Sequence, residues 1–223
     1  MSPAVKPRQL AVFDLDGTIT RRDTLACFLV GYARRHPGGL WRLWRLPFSL
    51  ASFALGLSDR GGLKSALIRQ VMLGAGREAV AAAAGDFCRS RLPALLNPGA
   101  LAAIERHRAA GDRLVLLSAS VDLYVPEISQ LLGFDETICT GVSWSGDRLE
   151  GRLTTENRRG PEKRRCIEQL RSRYAGARIA AYGNAASDFE HLEVVDAPLV
   201  VNATPVTRRK AQARGLPVGD WTR

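Results

Sequence analysis

Short apolar runs recur along the chain at 9–13, 113–117, 136–140, 178–182 and 198–202, each closed by polar or turn-forming residues. Runs of this length, apolar at successive positions, predict strands buried on both faces. Between the later runs lie helical stretches at 98–110, 125–132, 161–174 and 205–214. Strand and helix in alternation predict a parallel sheet covered by helices, a doubly wound α/β core. In such sheets a ligand sits beyond the carboxyl ends of the strands. Asp14, Ser118 and Gly183-Asn184 each follow directly on an expected strand, so three distant segments should converge on one crevice.

Residues 21–97 break the alternation. They hold no convincing strand but several helical stretches, including an Ala-rich one at 78–89. The expected organisation is therefore a discontinuous α/β core, residues 1–20 and 98–223, with an all-helical cap over 21–97 inserted after the first strand. At 223 residues, one core with one insertion is more natural than two equal domains. Within the cap, the segment 40–57 (LWRLWRLPFSLASFALGL) carries only two charges. A helix through it aligns Arg42, Arg45, Ser49 and Ser52 on one stripe and Trp41, Trp44 and Phe48 on another. It is too short, and too interrupted by Pro47, to span a membrane. We read it as a cap helix packed on its neighbours. The alternative is a helix lying on a lipid surface, favoured by the seven basic residues and single acidic residue between Arg34 and Arg69.

Thirty-two Lys and Arg against 22 Asp and Glu give a net charge of +10, so the chain should attract anions. Nucleic acid is not the expected partner, because no aromatic-interleaved strand motif or zinc module accompanies the charge. A glycine-rich loop of the nucleoside-triphosphatase type is also missing from the sequence. Cys27, Cys88, Cys139 and Cys166 are widely spaced, which fits reduced thiols acting as small hydrophobes. The first residues, MSPAVKPRQLAVFDLDG, show no apolar export core. The expected location is the cytoplasm, at the inner membrane surface if the cap touches lipid.

The chemistry is concentrated at Asp14-Leu15-Asp16-Gly17-Thr18. Two carboxylates two residues apart at a strand end can both face the crevice once Gly17 turns the chain. One can attack phosphorus to give an acyl phosphate, while the other gives a proton to the leaving alcohol and later takes one from water. A surface turn would explain D-x-D-G alone. Three further motifs follow in order, however: Ser118 in LLSAS, Lys163 in GPEK, and Gly183-Asn184-Ala185-Ala186-Ser187-Asp188. Together with the first they resemble the four ordered motifs of the haloacid dehalogenase (HAD) superfamily, and they cover nearly the whole chain outside the cap. The nearest likeness is to the subfamily IB branch that includes phosphoserine phosphatase and carries a helical cap between its first and second motifs.

The resemblance implies a Rossmann-like core and an Mg²⁺-dependent phosphatase with Asp14 as nucleophile. Asp16 becomes the general acid/base, its main-chain carbonyl also binding Mg²⁺. Ser118 and the Ala119 amide, near the start of an expected helix, would hold the phosphoryl oxygens, and Lys163 would hold both Asp14 and the phosphoryl group. Asn184 stands where many members have Asp, so the metal set becomes Asp14, Asp16, Asn184 and Asp188, with Asp188 the preferred metal-associated carboxylate. Asp23 aligns with an acidic substrate-contacting position, whereas the carboxylate-binding Arg of phosphoserine phosphatases has no counterpart. The expected substrate is a phosphorylated small molecule or a phospholipid headgroup. Two alternatives stay open: a phosphotransferase using the same intermediate, and a non-catalytic protein that binds phospholigands or a lipid surface. Oligomeric state is not legible.

Overall fold

The run Gln9–Phe13 forms β1, the central strand, and its residues divide the core between them. Successive side chains point to opposite faces of a sheet. Ala11 and Phe13 join one apolar cluster while Leu10 and Val12 join another on the opposite face, all four essentially without exposure. The computed structural model describes residues 7–221, apart from the side chains of 39 and 40. Residues 1–6, part of the stretch read as free of an export signal, and residues 222–223 lie outside the described residues.

After β1 the chain makes α1 (Thr24–Arg35), a 3₁₀ segment (Pro37–Arg45), α2 (Leu46–Ala54), α3 (Arg60–Met72), α4 (Arg77–Ser90) and α5 (Leu92–Leu95). It then continues through α6 (Pro98–Ala109), β2 (Arg113–Val121), α7 (Val125–Leu131), β3 (Glu136–Thr140), β4 (Val142–Ser145) and β5 (Arg148–Leu153). The last third is α8 (Pro161–Arg173), β6 (Arg178–Gly183), a 3₁₀ turn (Ala186–Asp188), α9 (Phe189–Leu192), β7 (Ala197–Val201), α10 (Pro205–Ala213) and β8 (Val218–Gly219). The main sheet has six strands in the order β3-β2-β1-β6-β7-β8, all parallel. The chain builds outward from β1 to β3, then returns to place β6 on the other side of β1. The crevice of such a sheet opens at this reversal, above the ends of β1 and β6.

All five expected strands are present. β2 runs beyond 117 to Val121, and its register against β3 shifts between Leu117 and Val121. The expected helix start near Ala119 is therefore wrong: Ala119 lies inside β2, and the next helix begins at Val125. A local bulge re-aims side chains without ending the strand. The β4–β5 hairpin was not foreseen, because its strands mix polar and apolar residues. It leaves the main sheet and joins the insertion: Leu149 exchanges backbone hydrogen bonds with Gly74 (2.8 Å) and Ala75 (2.9 Å), and Ser65 Oγ donates to Gly151 O at 2.8 Å. The Arg77 guanidinium lies 4.3 Å from the centre of the Trp144 ring.

Two aspartates start helices in the insertion. Asp23 Oδ1 accepts from Ala26 N (3.0 Å) and Asp59 Oδ1 from Gly62 N (2.7 Å), satisfying amides that have no helical partner. The single helix expected over 40–57 is instead a 3₁₀ segment followed by α2. Pro47 lacks an amide hydrogen and its ring would strike the carbonyl one turn back, so the helix must restart there. Packing differs from expectation too. α2 buries none of its residues, and Trp41, Trp44 and Phe48 stand 65%, 57% and 67% exposed.

Gly151 sits at φ +77°, where an added Cβ would lie 2.8 Å from Arg69 Cγ and 3.1 Å from Ile68 Cγ2. Gly146, at the hairpin turn, has φ +56° with open space around it. Gly151→Ala should therefore destabilise the protein by roughly 2–4 kcal/mol, combining left-handed backbone strain with overpacking. Gly146→Ala should cost about 1 kcal/mol from strain alone. Urea unfolding of the two variants side by side checks the difference.

Candidate active site

The sheet ladder carries β1 one residue past its end: Asp14 N donates to Tyr182 O of β6 at 3.0 Å. The chain then turns, with Thr18 N (3.3 Å) and Thr20 N (2.9 Å) both donating to Leu15 O. Gly17 permits the turn at φ +84°, and a Cβ there would fall 1.9 Å from Asn184 Nδ2. Only glycine lets the loops after β1 and β6 approach so closely. Asn97 Nδ2 donates to Thr18 O (2.9 Å) and Asn202 Nδ2 to Gly17 O (3.2 Å), fixing the turn from two sides.

Lys163, in the first turn of α8, extends beneath this turn. Its Nζ donates to Asp14 Oδ1 at 2.6 Å and to Asp188 Oδ1 at 2.8 Å, and all three residues are under 10% exposed. Asp14 Oδ2 accepts from Thr18 Oγ1 at 3.0 Å. Asp188 Oδ2 accepts from the amides of Asn184 (3.1 Å) and Ala185 (2.9 Å), which folds the loop after β6 around it. It makes no side-chain cap to the following helix and instead holds the loop and Lys163.

Electrostatics separates the two carboxylates. Burial pushes Asp14 up to about 7, reinforced by Asp188 and opposed by Lys163. Burial acts on Asp188 in the same direction, but Lys163 and the Ala185 amide overcome it and hold the carboxyl at about 2. Burial would discharge Lys163, yet its two carboxylate partners keep it above the ordinary lysine range. Neighbouring His191 is also buried, which lowers it to about 3 and leaves it neutral.

Asp16 faces the insertion. Its Oδ1 accepts from Thr24 N and Thr24 Oγ1, both at 2.7 Å, and its Oδ2 accepts from Ser120 Oγ at 2.6 Å. Burial raises its carboxyl above the usual range against these hydrogen bonds. Thr24 opens α1, so the carboxylate sits at a helix N-terminus while Ser120 clamps it from the β2 bulge. Ser118 is fully buried in that bulge, its Oγ accepting from Ser120 N at 3.0 Å.

A cavity of about 500 Å³ opens over these groups. Asp14, Asp16, Lys163, Asn184, Asp188, Ala119 and Asp23 line it, while Ser118 is buried and does not. Asp23 contributes to the rim with its carboxylate engaged as the cap of α1. The sequence reading missed the basic wall of Arg21, Arg22, Arg60, Lys64 and Arg159. Lys64 is not a solvated surface residue. It instead donates to Ala119 O and, at 2.6 Å, to Asn157 Oδ1, and burial lowers its ammonium to about 8. Thr18, Thr24 and Ser120 were also passed over. Their positions, on a tight turn, at a helix start and in a strand bulge, carried no readable signal.

A family model described as haloacid dehalogenase-like hydrolase matches residues 11–193, a span that includes every group bonded to Lys163. The chain belongs to that family. Protein CicA of Caulobacter vibrioides is 35% identical over 190 residues, covering 84% of this chain and 83% of that protein. Among solved structures, a protein of unknown function from Bordetella pertussis superposes with a TM-score of 0.82 at 24% identity, covering 96% of this chain and 99% of that one. A substrate-bound phosphoserine phosphatase superposes with a TM-score of 0.66 at 16% identity, covering 98% and 95%. The fold is thus the Rossmann-like HAD core, shared with both of these structures.

Removing the Asp14 charge should stabilise the metal-free protein. A carboxyl raised in the folded state contributes stability that is present below its ordinary value of 3.8 and lost as pH rises through about 7. Asp14→Asn should therefore melt above wild type at pH 8, the gap closing as the pH approaches 4. Lys163→Met should do the opposite, because it leaves two buried carboxylates facing each other, at a cost of roughly 3–5 kcal/mol near neutral pH. Thermal melts in metal-free buffer across this range test both.

Proposed function

We propose that the chain is a phosphomonoester hydrolase working through an aspartyl-phosphate at Asp14. The observation that carries this reading is the Lys163 ammonium at the cavity floor, bonded to Asp14 at 2.6 Å and Asp188 at 2.8 Å. A carboxylate oxygen of Asp14 attacks phosphorus and the ester P–O bond breaks. The departing alkoxide takes a proton from Asp16. Water then gives a proton to Asp16 and attacks the phosphorus, breaking its bond to Asp14 and releasing phosphate. Asp16 suits both roles because burial raises its carboxyl, and Thr24 and Ser120 fix its orientation. Lys163 offsets the negative charge that gathers on Asp14 and the phosphoryl oxygens. In this reading the Ala119 amide, on the cavity wall, and Ser118, buried beside it in β2, bind those oxygens.

The donor chemistry fits Mg²⁺. Asp14, Asp188, the Asn184 amide oxygen and the Asp16 main-chain carbonyl are hard oxygens. Mg²⁺ takes few carboxylates, keeps water and accepts substrate phosphate as a ligand, so this lean set suits it. When bound, it would draw negative charge from the phosphoryl oxygens and lessen their repulsion with Asp14.

The substrate is a small phosphorylated metabolite or a phospholipid headgroup. A cavity of about 500 Å³ fits a molecule of that size, and the wall of Arg21, Arg22, Arg60, Lys64 and Arg159 favours an anion.

Phosphate release is the direct test, measured with and without Mg²⁺ over phosphoserine, sugar phosphates, nucleotides, lysophosphatidate and phosphatidylglycerophosphate. Metal-dependent release is expected, falling by about a thousandfold or more in Asp14→Asn. Acid-quenched turnover should leave phosphate on Asp14. Failure of every ester with folded protein, or turnover that survives Asp14→Asn, overturns the reading.

A further inference from the structure

Six of the eleven large apolar side chains that stand exposed among the described residues fall between 41 and 57. Besides Trp41, Trp44 and Phe48 they are Leu50, Leu55 and Leu57, the last two 74% and 78% exposed. A soluble surface scatters such side chains singly, and their concentration marks a surface that meets something apolar. Each tryptophan is paired with the arginine that follows it: Arg42 lies 5.3 Å from the Trp41 ring centre and Arg45 lies 5.2 Å from that of Trp44. Trp44 meets Phe48 edge to face at 5.9 Å. Between this segment and α3 runs a groove of about 770 Å³, with the three aromatic residues on one wall and Leu63 and Leu73 on the other.

Charge identifies what the patch meets. From Arg34 to Arg69 there are seven Arg and Lys and a single acidic residue, Asp59, whose carboxylate is engaged by Gly62 N at 2.7 Å. A second copy of the same face would bring two positive fields together. An anionic lipid surface meets both demands: apolar side chains enter the acyl boundary, tryptophan rings sit at headgroup depth, and arginines reach lipid phosphates. No helix among the described residues is long and apolar enough to cross a membrane.

We propose that the Pro37–Arg45 segment and α2 form an interfacial element that seats the insertion on an anionic bilayer. The element adjoins the active-site cavity. Leu63 lines both the cavity and the groove, and Phe53 of α2 and Arg60 of α3 reach the cavity wall. The docking itself does not depend on the chemistry at Asp14 and is read without turnover.

Co-sedimentation with vesicles of phosphatidylcholine alone, or containing about a third phosphatidylglycerol, tests the proposal, together with tryptophan emission. Wild type should bind the anionic vesicles with a blue shift, release as salt rises, and leave the neutral vesicles largely unbound. Trp41→Ser/Trp44→Ser/Phe48→Ser and Arg45→Glu alter exposed side chains and should melt as wild type does. Each should weaken partitioning by about tenfold or more. Absent binding, equal binding to neutral vesicles, or full binding by both variants overturns the proposal. So does self-association that the aromatic substitutions abolish while vesicles fail to bind, which would make the patch a protein interface.

Discussion

Lys163 sets one ammonium against two buried carboxylates, and the site is organised around that imbalance. With both carboxylates ionised the trio carries net negative charge out of water, which only more positive charge can offset. Asp188 is satisfied first, since two backbone amides join Lys163 on it. Asp14 has Lys163 and one threonine hydroxyl, so burial acts on it with less opposition. It is left needing a proton or a second cation. The sheet order makes this arrangement possible. β1 and β6 are neighbours, so Asp14 and the loop containing Asp188 end side by side, and α8 leads directly into β6.

The parts legible in the sequence were those where one physical requirement dominates. A central parallel strand must be apolar on both faces, and a crevice group must follow its end, so Asp14 and Asn184 could be placed from the pattern. Lys163 could not. A lysine at a helix start is ordinarily solvated, and only the order of the four motifs argued otherwise. The hairpin strands are half polar because one face meets α3 and the other water, which removes the continuous apolar signal. Ser120 and Thr24 act on Asp16 through a bulge and a helix start, local geometries that spacing does not encode. The segment 40–57 misled differently. Its apolar stripe suggested a buried face, but periodicity records which side chains share a face and not what covers it.

α3 joins the parts of the insertion. One part of it receives β5 through Ser65 and the Ile68–Arg69 surface against Gly151, another lends Leu63 to two cavities, and Lys64 reaches across to the β2 bulge. The ammonium of Lys64 takes the Ala119 carbonyl and the Asn157 amide oxygen, so the insertion is tied to the core at the segment that holds Asp16 through Ser120. A shift of α3 would be felt at Asp16 and at the cavity wall together.

The distance along the chain between Asp14 and its partners has a consequence for how the protein is made. Asp14 lies 149 residues before Lys163, and Lys163 a further 25 before Asp188. During synthesis, β1 and the whole helical insertion emerge long before the ammonium and the β6 loop exist. Until they do, the end of β1 cannot leave water without stranding a carboxylate. The nascent sheet must wait with its central strand unclosed on one side, and long-range parallel pairing of this kind is slow. The partners that allow Asp14 to be buried therefore reach the sheet only after most of the chain has been made.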